Sequence, residues 1–147
     1  MIRKFFNLTW RDRYLLLSAA FWLAAIRLGL LLLPFSALRA ILACAARGGA
    51  WFRFQPAEGR VAWAVMAAGR RHPFGSTCLT RALAAQVMLA RRALPCRFVI
   101  GVARDERGGL EAHAWLECGE KVLNGGPDVS RFTPLTRLND DCLGALV

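Results

Sequence analysis

The chain has 147 residues, 56% of them hydrophobic, a mean hydropathy of +0.34, and a formal charge of +10 from 20 basic and 10 acidic side chains. That length suits one domain whose core folds without staples, and the basic surplus favours an acidic partner: nucleic acid, an anionic membrane surface or an acidic peptide. Its five cysteines (Cys44, Cys78, Cys96, Cys118, Cys142) are odd in number with no CxxC pair, and its two histidines lie far apart. This excludes a disulfide framework and a zinc site, and predicts reduced thiols in a cytoplasmic chain.

Met1 to Arg13 is basic and aromatic, and Tyr14 to Phe35 is almost wholly apolar apart from Ser18 and Arg27. No small-residue cleavage site follows the basic start, and the run is too long for a signal peptide. It has the length of a membrane span, but Arg27 interrupts it at a cost of roughly 2.5–3.5 kcal/mol near a span's centre. Two readings stay open: helices packed on the domain or a partner, and a peripheral membrane contact that holds a cytoplasmic protein at the bilayer. Pro34 stops the first helix, Ser36 is the expected cap of a second over 37–46, and Gly48-Gly49 ends it. Residues 1–54 read as an apolar helical extension and residues 55–147 as the catalytic domain.

From Gln55 the character changes. Residues 60–71 form a helical stretch with Val61, Val65 and Ala68 on one face, ended by Gly69 and His72-Pro73. After Phe74-Gly75-Ser76-Thr77 comes a second helix from Cys78, with Leu79, Leu83, Val87, Ala90 and Leu94 at helical spacing. Ser76 or Thr77 caps it and Pro95 closes it. Cys78 thus falls in the first turn, where unpaired amides and the helix dipole stabilise a thiolate and can donate to an oxyanion.

Arg97 to Ala103 is β-branched and aromatic and reads as a strand. A polar turn over 105–109 leads to a strand over Leu110 to Cys118, and Gly119-Glu120 turns into a third over Lys121 to Asn124. The expected fold is therefore α+β, with a nucleophile helix packed on an antiparallel meander. If Gly119-Glu120 is a two-residue hairpin loop, Cys118 pairs with Lys121 and Trp115 with Asn124. Side chains 113, 115, 124 and 126 then share a face, so Asn124 could orient the imidazole of His113. A nucleophile at a helix start, a base on a strand and an orienting group on the next strand make a cysteine-hydrolase triad.

The segments Ser76-Thr77-Cys78-Leu79, Ile100-Gly101-Val102, Ala112-His113-Ala114-Trp115-Leu116-Glu117 and Val122-Leu123-Asn124-Gly125-Gly126-Pro127-Asp128 resemble the B protein of lasso-peptide biosynthesis, a transglutaminase-like, papain-related leader peptidase. The likeness covers roughly residues 60–135 in the family's order, and the apolar N-terminus with Leu33-Pro34-Phe35 is similar to that of stand-alone B proteins. It implies a thiol protease that cuts the ribosomal precursor between leader and core, freeing the core amine for a separate ATP-dependent lasso cyclase. It further implies a small leader-binding recognition protein, since this chain has no room for that domain. The family triad is Cys-His-Asp, which assigns Cys78, His113 and Asp128, with Asn124 as the alternative third member that the hairpin register favours. No phosphate-binding loop occurs, so no cofactor is expected.

For Cys44, Cys96, Cys118 and Cys142 the bland reading is a small core residue or idle thiol. His72 reads as a boundary residue, Trp115 as core, and Arg70-Arg71 and Arg91-Arg92 as a solvated face on which a leader or companion could dock. Another cysteine amidase or acyltransferase of the same fold, and a non-catalytic membrane-associated scaffold, are the competing functions. Nucleic-acid binding is not expected, because no recognition motif accompanies the charge.

Overall fold

The computed structural model describes residues 8–48, 56–71, 76–124, 126 and 129–137. Helix α1 spans Trp10–Leu32, capped by Thr9, whose side chain accepts the Asp12 N–H at 3.3 Å. It stops at Leu33, which is extended (φ −126°, ψ 148°) because the following Pro34 disfavours the helical region. Helix α2, Phe35–Arg47, starts two residues before the expected position. The cause is Pro34: its φ of −63° is already helical in sign and size, and its carbonyl accepts the Leu38 N–H at 3.1 Å. Gly29 lets α2 approach, since a Cβ there would lie 2.6 Å from Leu38 Cδ1.

Helix α3 is Glu58–Gly69 and helix α4 is Cys78–Ala90. Leu15, Leu23 and Ile26 of α1 enter the same core as Val65, Leu83 and Met88, so the N-terminal helices share one core with the rest of the chain. Helix α1 is long and apolar enough to cross a membrane, yet one side of it is committed to this core. The arginine pair after α4 is not the expected solvated face. Arg92 is buried and donates to the Met88 carbonyl at 2.5 Å, and burial pushes its guanidinium pKa down. Arg91 donates to the Ala45 carbonyl at 2.5 Å and lies 5.9 Å from the Trp22 ring, tying α4 to α2 and α1. Helix C-termini present orphan carbonyls, which accept from a nearby cation.

Strands β1 (Arg97–Arg104), β2 (Leu110–Cys118), β3 (Lys121–Leu123) and β4 (Thr133–Arg137) form an antiparallel sheet in the order β3-β2-β1-β4. The turn between β1 and β2 is held by Asp105, whose carboxylate accepts the N–H groups of Arg107 and Gly109. Gly119-Glu120 is the expected two-residue turn, with Cys118 opposite Lys121. The ladder ends at Leu116 opposite Leu123, because Asn124 turns out at φ 59°. The expected Trp115–Asn124 pair therefore does not form. Strand β4 was not foreseen; it pairs with β1 at the sheet edge, where Pro134 lacks no needed donor.

The cysteine expectation needs correction. Cys96 and Cys118 are joined by a disulfide. The register Arg97 opposite Glu117 makes them the next cross-strand pair, with Cα atoms 4.3 Å apart, the spacing of a narrow antiparallel pair. Neither spacing nor parity could show this, because the pairing arises from the hairpin register. The architecture is α+β, four helices on one four-stranded antiparallel sheet among the described residues.

Candidate active site

Cys78 is the first residue of α4 and its free thiol is half-buried. Thr77 caps the helix: its Oγ1 accepts the Thr80 N–H at 3.3 Å, and the Thr80 hydroxyl returns a bond to the Thr77 carbonyl at 2.9 Å. The cap serves the third amide of the helix. Among the described residues the Cys78 and Leu79 N–H groups carry no partner, leaving two donors beside the thiol. The helix behind them is central, with Thr80 and every residue from Ala82 to Leu89 buried.

The approach to Cys78 is clamped. Arg81 donates from Nε to Ser76 Oγ at 2.9 Å and from Nη2 to the Ser76 carbonyl at 2.6 Å. Ser76 Oγ in turn donates to the Gly69 carbonyl at 3.0 Å, fastening the segment to the end of α3. Gly69 has to be glycine here, since a Cβ would sit 2.6 Å from Ser76 Oγ. Sequence reasoning named Ser76 as a cap and missed Arg81. The available signal was its position one helical turn after Cys78, on the side facing the preceding loop.

Strand alternation sorts β2 between two faces. Ala114, Leu116 and Cys118 turn toward the helices, whereas Trp115 forms a second cluster with Val99 and Phe132 on the other face. His113 lies opposite Gly101 and shares that second face. Its half-buried ring stacks on Phe132 (centroids 5.1 Å, planes 29° apart) and near Trp115 (6.2 Å, 23°). Gly101 makes room, for a Cβ there would meet Trp115 Cη2 at 2.6 Å. Trp115 Nε1 donates to Glu117 at 3.2 Å, and the Glu117 carboxylate lies 3.8 Å from Arg97. Trp115 is core, as expected; Phe132, which positions the histidine ring, was missed because it follows a strand-free stretch with no periodicity.

Cys78 packs against the helix-side cluster, so thiol and imidazole leave from opposite sides of β2, and no hydrogen bond joins them among the described residues. Strand β3 covers β2 only at Leu116–Cys118, so the β2 edge beside His113 has no paired strand among those residues. Asn124 stands just beyond that ladder, and its side-chain nitrogen and oxygen are buried without a hydrogen-bond partner, so it does not orient His113 here. Asp128 and His72 lie outside the described residues. No group of three metal-ligating side chains occurs among the described residues.

No match was found among curated proteins or among solved structures. The sequence profile of the transglutaminase-like superfamily, a fold typical of cysteine proteases and acyltransferases, matches residues 20–137, from within α1 through the end of β4. That span takes in the Cys78 helix, the His113 strand and most of the chain, and the chain therefore belongs to the transglutaminase-like superfamily.

Proposed function

We propose that this chain is a cysteine peptidase that removes the leader from a ribosomally made lasso-peptide precursor before macrolactam formation. The carrying observation is a free, half-buried thiol at the start of a central buried helix in a transglutaminase-like chain. Superfamily membership supports the enzyme class. The leader-peptidase reading draws on the resemblance of the segments around Cys78, His113 and Asn124-Gly125-Gly126-Pro127-Asp128.

The chemistry runs as thiol acyl transfer. His113 accepts the Cys78 proton as the thiolate attacks the scissile carbonyl, and the Cys78 and Leu79 amides, unpartnered among the described residues, receive the oxyanion. His113 then protonates the departing amine, which is the new N-terminus of the core peptide. Water, deprotonated by His113, hydrolyses the thioester and releases the leader. Asp128 holds the imidazole in this scheme, with Asn124 as the alternative.

A length argument supports the pairing of Cys78 with His113. Helix α4 returns through a short link to β1, so its start lies about 20 Å back along the sheet, at 1.5 Å per residue. His113 is four residue pairs from the Arg97–Glu117 end, about 13 Å at strand spacing. Along the strand direction the helix start therefore falls beyond the level of His113, with β2 between the two groups. Because thiol and imidazole lie on opposite faces of β2, this chemistry requires the helix start or the β2 edge to shift on substrate binding until the two groups meet.

The proposal has the recognition protein present the leader, the ATP-dependent cyclase consume the freed amine, and the reaction occur in the cytoplasm where the precursor is made. The test mixes protein, precursor and recognition protein and reads masses. Wild type should yield leader and core, and Cys78→Ala should yield neither. Identical uncut precursor from both, with the leader demonstrably bound by its recognition protein, would sink the proposal. Asp128→Ala and Asn124→Ala, compared in folded protein, assign the third member by the larger loss of turnover.

A further inference from the structure

Helix α1 is apolar on two sides and the domain uses one. Leu15, Ala19, Leu23 and Ile26 are in the core at 1% exposure or less. On the other side Trp10, Leu17, Phe21, Leu28 and Leu32 are 56–71% exposed. Their spacing alternates between seven and four residues, which at 3.6 residues per turn draws one straight stripe. From Trp10 to Leu32 it runs about 33 Å.

Charge says what covers it. The two-helix layer α1–α2 carries Arg11, Arg13, Arg27, Arg39 and Arg47, and its one acid, Asp12, is already paired with Arg60. By helical angle Arg11 falls on one flank of the stripe, and Arg13 and Arg27 on the other. Arg11 lies 5.6 Å from the exposed Trp10 ring at the end of the stripe. Arginines flanking an apolar stripe, with a tryptophan at its end, match the headgroup and acyl layers of an anionic bilayer. Two copies of this chain would bring like-charged layers together, in a molecule of formal charge +10. Spanning the bilayer would strip Leu15, Ala19, Leu23 and Ile26 from the core, so the helix lies in the membrane plane.

We propose that the exposed α1 face docks the folded domain onto an anionic lipid surface, independently of the peptidase reading. The experiment is vesicle flotation of the full chain with phosphatidylcholine vesicles, with and without phosphatidylglycerol. Wild type should float with the anionic vesicles and be released by salt, because the Debye length shrinks to ~3 Å at 1 M. Leu17→Glu/Phe21→Glu/Leu28→Glu should cut partitioning more than about tenfold, since each apolar side chain withdrawn from lipid loses at least that much. Its circular dichroism and melting should match wild type, because none of the three enters the core. Should that variant misfold, Leu17→Gln/Phe21→Gln gives the same comparison with less perturbation. Wild type left unbound by anionic vesicles overturns the proposal, as does a folded variant that still floats. A wild-type dimer that the variant converts to monomer also overturns it, by showing a second copy on the stripe.

Discussion

Replacing Gly101 by alanine tests whether the aromatic cluster beside His113 is packed as described. The new Cβ would lie 2.6 Å from Trp115 Cη2, 2.8 Å from Cζ3 and 3.0 Å from Phe132 Cβ. Carbon atoms in contact rest at about 3.5–4.0 Å, so the rings must retreat by roughly 1 Å. Trp115 is 2% exposed and Phe132 8%, which leaves them nowhere cheap to go. Overpacking of this kind costs about 1–3 kcal/mol, and removing glycine from a strand returns about 0.5–1 kcal/mol. The net loss is about 0–2.5 kcal/mol, centred near 1 kcal/mol, which at that centre lowers Tm by roughly 3–4 °C for a chain of this size. Differential scanning calorimetry reads it. Adding Trp115→Phe removes the crowding ring atoms, so the pair should be less than additive and couple by about 0.5 kcal/mol or more. A raised Tm in Gly101→Ala would refute the packing, and with it the placement of the His113 ring.

Arg81→Met removes two hydrogen bonds that hold Ser76, and should cost about 1–3 kcal/mol in urea denaturation while slowing alkylation of Cys78. Arg81→Lys should recover only part of both effects, because an ammonium lacks the two-pronged donor geometry; full recovery would count against the clamp. The Cys96–Cys118 disulfide closes a loop with a sequence separation of 22, worth about 3 kcal/mol by loop entropy. Reductant should therefore lower the Tm of wild type and leave that of Cys96→Ser/Cys118→Ser unmoved, and equal melting of wild type with and without reductant would contradict the bridge.

Local rules carried much of this fold. Pro34 marked the break between α1 and α2, Thr77 the start of the nucleophile helix, and Gly119-Glu120 the turn that sets Cys118 opposite Lys121. Each is a signal contained within a few residues. Apart from the start of α2, the misreadings concern long-range placement or a single dihedral. Asn124 takes the left-handed conformation that asparagine tolerates, and one such residue ends a ladder that the register would have continued. Arg92 is buried at the end of α4 beside Tyr14 of α1, an approach its neighbours in sequence do not reveal. The disulfide and Phe132 beside His113 likewise follow from how β1 meets β2 and β4. At the site, Cys78 and His113 were legible as residues in elements, whereas the sheet face of His113 depended on which side the helices chose.

The central claim is that Cys78 is a nucleophile activated by its helix start and by His113, and Cys44, the other free cysteine among the described residues, makes an internal control available. Cys44 is exposed and Cys78 is half-buried, so accessibility alone would make Cys44 react first. Timed iodoacetamide labelling read by peptide mass spectrometry compares the two in one sample. The account predicts faster labelling at Cys78, slowed by His113→Ala while Cys44 is unaffected. Faster labelling at Cys44, or a Cys78 rate indifferent to His113→Ala, would contradict it.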